Sequence, residues 1–159
     1  MTTIISYQKY TDEWTTYTLV QPHQSPDSQN TTELCTELCT ELCTIDGVTY
    51  VAVPDGVTLP DQPSQIADSI KNVELTAELI STIKTNSSHC KFISDQVQHK
   101  IRQKYTMDDE LYFSRIASAT ALGAYELKPR ENEELMQYNG YIESVRLWAK
   151  QERIKLGLD

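Results

Sequence analysis

Leu135, Tyr138, Ile142, Val145 and Ala149 are spaced by 3 and 4 residues, and no other feature constrains the chain so tightly. An α-helix gathers such positions onto one stripe. Tyr141, Trp148 and Leu156 widen it. Both ends agree with a helix. Pro129, followed by the acidic run 131–134, suits the start, where negative charge meets the positive end of the macrodipole. Lys150, Arg153 and Lys155 suit the last turns, and Gly157 with Leu158 beyond it reads as a C′ glycine and its hydrophobic contact. Two shorter helical segments precede this one. Ile93, Val97, Ile101 and Tyr105 stand four apart. Leu111, Tyr112, Arg115, Ile116 and Ala119 follow a near capping box, Thr106 with Asp109, and run toward Gly123. Further back, Ile66, Ile70, Val73, Leu75, Leu79, Ile80 and Ile83 predict helix from about Ser64, interrupted at Asn72 and broken at residues 85–88.

The first 63 residues read differently. Residues 1–10 alternate, and residues 14–20 are rich in Thr and Tyr, so residues 1–20 predict a β-hairpin turning at residues 11–13. Residues 21–31 have the composition of a polar loop. Thr-Glu-Leu-Cys then occurs three times, over residues 32–43. A period of four fits one helix face or one strand face. Asp46-Gly47, between β-formers, favours a hairpin with strands at about 38–45 and 48–53. In that register Ile45 faces Val48, Cys43 faces Tyr50 and Leu42 faces Val51. Residues 32–37 stay open between helix, strand and loop. Residues 54–63 carry turn chemistry that ends the sheet. The expectation is an α+β fold: a small antiparallel β-hairpin region at 1–63, then a bundle of three to four helices at 64–159.

With 14 basic against 23 acidic residues, net charge −9 and no basic run, nucleic-acid binding and attachment to anionic membranes are disfavoured. No apolar run reaches ~18 residues, so no transmembrane segment is expected. The first residues lack the basic and apolar regions of a signal peptide, which predicts a reducing environment and free thiols.

Cys35, Cys39 and Cys43 could ligate a metal, with His89 or Cys90 as a fourth ligand. Tandem duplication explains the repeated Thr, Glu and Leu as well as the Cys, whereas ligation explains the Cys alone. The duplication reading is preferred, and no metal or cofactor is expected. His23, His89 and His99 are scattered, with no nucleophile beside them in sequence. Asp108, Asp109 and Glu110 suit a helix start better than a cation site. Glycine-rich phosphate loops are absent from the sequence. No enzyme is expected. Tyr7, Tyr10, Trp14 and Tyr17 exceed what a small sheet can bury, so an aromatic protein-binding face is a second reading.

One stretch runs from Gln98 through Lys104-Tyr105 and Asp108-Asp109-Glu110 to Arg115. With a second, from Tyr138-Asn139-Gly140-Tyr141-Ile142 through Trp148 to Leu158, it resembles small proteins encoded beside tail-fibre genes in tailed bacteriophages. These include tail-fibre assembly proteins and other tail accessory proteins. The likeness covers about 60 residues and omits the Thr-Glu-Leu-Cys triplet. It implies a β-rich N-terminal part, C-terminal helices and no catalytic residues. The implied function is binding to a tail fibre, a trimer, as assembly chaperone or virion-retained cap, in the virion tail or the host cytoplasm. The contact residues expected are Trp14, Tyr17, Leu38, Leu42 and Tyr50. Docking or self-association through Tyr141 and Trp148 is the alternative, as is a thiol or metal protein built on the cysteine repeat.

Overall fold

The computed structural model describes residues 2–22 and 39–158. The fold is α+β: an N-terminal antiparallel sheet is followed by helices. The chain forms two compact units, Met1–Lys91 with Arg153–Asp159, and Phe92–Glu152. This division does not follow the expected boundary at 63/64, because the sheet needs helical segments and the C-terminal tail to cover it.

In the first unit, β1 (Thr3–Gln8), β4 (Thr40–Ile45), β5 (Val48–Val53) and β6 (Lys71–Asn72) form a sheet of order β4-β5-β1-β6. The β4–β5 hairpin forms as expected. Its turn residues Asp46 and Gly47 take φ 50° and 79°, the left-handed pair that a two-residue hairpin needs and that Asp-Gly supplies at low cost. Ile45 faces Val48 and Cys43 faces Tyr50, also as expected. The register then shifts between Glu41 and Cys43, so Val51 faces Glu41 rather than Leu42. A bulge places one extra residue in its strand. Leu42 is thereby moved to the opposite sheet face from the one period-2 counting assigns.

The expected hairpin over residues 1–20 is corrected. β1 pairs with β5 and β6, not with residues 14–20. Central strands are buried on both faces and lose the polar alternation of a half-exposed hairpin. Ile4 and Ile5, adjacent and both buried, are that signature. Only β2 (Tyr10–Thr11) and β3 (Thr16–Tyr17) form a small hairpin of their own. Beyond it, Gln62 donates to the Val20 carbonyl and accepts from the Val20 N–H, at 3.1 and 2.8 Å. Gln21 clamps both backbone groups of Cys39 in the same way, at 3.0 Å each. Side-chain amides here take the place of strand pairing.

Two apolar clusters cover the two faces of the sheet. One joins Ile5, Tyr7, Leu19, Cys39, Val51, Val53 and Ile66. The other joins Ile4, Leu42, Ala52, Ile83, Cys90 and Leu158. They explain why residues 64–83 are not one helix. Ile66 and Ile70 pack on the first face, Val73, Leu75 and Leu79 on the second. The chain must therefore round the sheet edge, which a straight helix cannot do. It makes one turn of helix, α1 (Ser64–Ala67), passes the edge as β6, and resumes as α2 (Ala77–Asn86). The crossing satisfies the open side of β1: the Val73 N–H donates to the Ile4 carbonyl at 2.9 Å, and the Gln8 N–H to Ser69 Oγ at 3.1 Å. Thr76 caps α2 by accepting from the Leu79 N–H.

The C-terminal tail closes the second face. The Leu158 N–H donates to the Arg153 carbonyl and the Gly157 N–H to that of Ile154, with Gly157 at φ 72°. This turn delivers Leu158 into the core. Thr2 Oγ1 donates to the Lys155 carbonyl at 2.9 Å.

The remaining helices match their sequence signals. They are α3 (Ser88–Lys104), α4 (Met107–Ala121) and α5 (Pro129–Lys155). Thr106 and Asp109 form the full reciprocal capping box of α4. Gly123, at φ 69°, ends it. In the Phe92–Glu152 unit the Tyr138 ring stacks on Phe113 at 4.7 Å and meets Tyr105 edge-on at 5.0 Å. Such pairs each add about 0.5–1.5 kcal/mol beyond simple burial.

Candidate functional site

Among the residues expected to make contacts, Trp14 stands out: it is 92% exposed. It lies in the turn joining β2 to β3, and Asp12 builds that turn. Asp12 Oδ1 accepts from the Trp14 and Thr15 N–H groups at 2.9 and 2.8 Å. Asp12 Oδ2 accepts from the Tyr17 hydroxyl at 3.3 Å, and the Asp12 N–H donates to the Thr15 carbonyl at 3.0 Å. The Thr11 and Thr16 hydroxyls meet at 3.1 Å, and the Tyr10 and Tyr17 rings lie 5.9 Å apart. The backbone N–H donors, Trp14 first, hold the Asp12 carboxyl below its ordinary value. The nearby Asp12 charge pushes the Tyr17 hydroxyl up. A fixed turn therefore carries a bare indole with a carboxylate at its base.

The other expected contacts lie elsewhere. Leu42 is 2% exposed and belongs to the core, so the contact role expected for it is corrected; the bulge decides which of the two clusters it joins. Tyr50 is half-buried against the same cluster. Leu38 lies outside the described residues. Tyr141 is half-buried; its hydroxyl donates to the Lys100 carbonyl at 2.8 Å, and Lys104 Nζ sits 4.4 Å from its ring centre. Trp148 is half-buried under Lys100 Nζ, 4.7 Å from its ring centre. Both aromatic groups have structural partners inside their own unit.

The cysteine repeat does not converge where it is described. Cys39 joins the first cluster and Cys43 packs on the second, on opposite faces of the sheet. Burial pushes both thiols up, away from the reactive thiolate. Cys35 and His23 lie outside the described residues. Among the described residues, no three His, Cys, Asp or Glu side chains gather as a metal site. Asp109 is used by the capping box, and Glu110 pairs with Arg102. His99 Nε2 lies 2.9 Å from the Gln103 side-chain nitrogen. A cleft of 430 Å³ in the first unit, lined by Ser6, Gln8, Ser64, Gln65, Asp68 and Lys71 among others, includes none of these groups.

Sequence reasoning missed one surface. Met107 and Leu111 are exposed on α4 and Leu122 at its C-cap, with Ser114 and Ser118 between them at helical spacing. Met136 and Leu147 are exposed on α5. The signal was available: positions 107, 111, 118 and 122 share a stripe turned away from the buried Phe113 and Ile116. No helix among the described residues is long and apolar enough to cross a membrane. Comparison of the chain with protein-family models, curated proteins and solved structures finds no match.

Proposed function

We propose that this chain is a non-enzymatic tail accessory protein of a tailed bacteriophage, which binds the tail fibre as an assembly chaperone or as a cap kept on the virion. The phage assignment rests on the resemblance of residues 98–115 and 138–158. The observation that carries the binding role is that each of the two units of this acidic chain leaves large apolar side chains open. Trp14 is 92% exposed, Leu122 83% and Met136 67%, at net charge −9. Single exposed apolar residues are ordinary, but several along one helix, together with a bare tryptophan, are typical of interaction surfaces.

The action these side chains support is covering apolar fibre surface until the fibre trimer is complete, or permanently as a cap. Strand addition at the β4 edge is less favoured. The bulge at Leu42 twists that edge, and Gln21 already occupies both backbone groups of Cys39.

Co-expression with the protein encoded beside it, followed by size-exclusion chromatography with light scattering, tests this. A complex of fixed stoichiometry is expected. A lone chain beside a neighbour that assembles normally by itself would contradict it. Mass spectrometry of purified virions then separates a retained cap from a chaperone that leaves.

A further inference from the structure

Resting on the binding role above, we propose that the 10–17 hairpin inserts Trp14 into an apolar pocket on a folded partner protein, and that the pocket is rimmed by Lys or Arg. The indole is 92% exposed, while the backbone that carries it is fixed by the carboxylate of Asp12. Tryptophan is among the residues that contribute most to binding when they enter a desolvated pocket. Ordering a loop on binding costs affinity, and here the loop is ordered beforehand. Tyr10, 49% exposed and beside Tyr17, adds a second ring at the base of the knob.

Charge identifies the partner's rim. Residues 10–17 contain Asp12 and Glu13 and no base. The nearest base in sequence, Lys9, is already engaged by Glu41 at 2.6 Å. The carboxylate of Asp12 accepts from two N–H groups and a hydroxyl, which favour its ionised form in the folded turn. A tryptophan flanked by two anions is repelled by the anionic leaflet of a membrane. A second copy of a chain with net charge −9 is disfavoured for the same reason. A pocket bordered by cations fits both the apolar body and its charge.

The test uses the full chain carrying Trp148→Phe, which leaves Trp14 as its one tryptophan. The probe is the protein encoded beside it. Binding is expected to shift Trp14 emission to the blue and shield it from a soluble quencher. Trp14→Ala is expected to weaken binding about tenfold or more with an unchanged melting curve. Raising salt from about 0.05 to about 0.5 M is expected to weaken the parent chain more than Glu13→Gln, which has given up one charge. A complex in which Trp14 stays open to quencher, or binding indifferent to Trp14→Ala, overturns the pocket and leaves the binding role standing. A blue shift with phosphatidylserine vesicles, or on concentrating the chain alone, overturns it in favour of a membrane or a second copy. If no complex forms with the neighbour, pocket and binding role fall together.

Discussion

At the residue scale, Trp14 and Leu42, both among the expected contacts, should behave oppositely. Trp14→Ala removes a side chain that is almost fully exposed and is expected to change stability by less than about 0.5 kcal/mol. Leu42→Ala empties a packed position and is expected to cost about 2–5 kcal/mol. Urea unfolding of the two variants checks the contrast; equal midpoints would contradict the burial of Leu42. Gly157→Ala is a sharper probe. It would place a Cβ 3.3 Å from Ile4 Cδ1 and Thr2 Cβ, on backbone at φ 72°. A loss of about 1–2 kcal/mol is expected from the backbone alone. The role of Gly157 was legible, because glycine followed by a leucine has few other uses at a helix end. The burial of Leu42 was not. A bulge changes which face a residue takes without changing the composition of its strand.

At the element scale, α4 depends on its cap. Thr106→Ala is expected to cost about 1 kcal/mol, read from the thermal midpoint. The Thr106 N–H and hydroxyl hold the Asp109 carboxyl below its ordinary value of 3.8. A carboxyl that binds its proton less tightly when folded stabilises fully above its unfolded value, and the contribution drains away as pH falls through the folded one. Acid weakening of α4 is thus expected below about pH 3.8, and Asp109→Asn should remove that pH dependence. Chemical shifts of α4 amides across an acid titration would show it. Helices α3, α4 and α5 could be read from the chain because stripe, cap and stop signals coincide. Residues 64–83 misled because Ile66, Ile70 and Val73 keep helical spacing while serving opposite faces of a sheet. Spacing reports which residues could share a face, and nothing local reports an edge that the chain must round.

At the scale of the whole molecule, the N-terminal sheet is completed by the far end of the chain. Leu156 packs against the second cluster and Leu158 is wholly buried in it. Ending the chain at Lys155 is expected to cost the first unit about 1.5–3 kcal/mol from the buried Leu158 alone, with a smaller share from the half-buried Leu156. A chain cut there that unfolds at the same denaturant concentration would contradict this packing. The α+β class was legible from the order of strand and helix signals. The candidate site was legible in part. Aromatic crowding at residues 7–17 pointed to Trp14; the α4 stripe was present in the spacing of positions 107, 111, 118 and 122, but exposed and buried leucines look alike in sequence, so spacing alone did not single it out.

Hydrogen exchange of the chain alone and with the protein encoded beside it tests the central claim most directly. The account predicts slowed amides within residues 10–17 on complex formation, with Trp14 and Thr15 at the centre, while β5 stays unchanged. No slowing anywhere would contradict the binding role, and slowing confined to α4 and α5 would contradict insertion of the Trp14 hairpin.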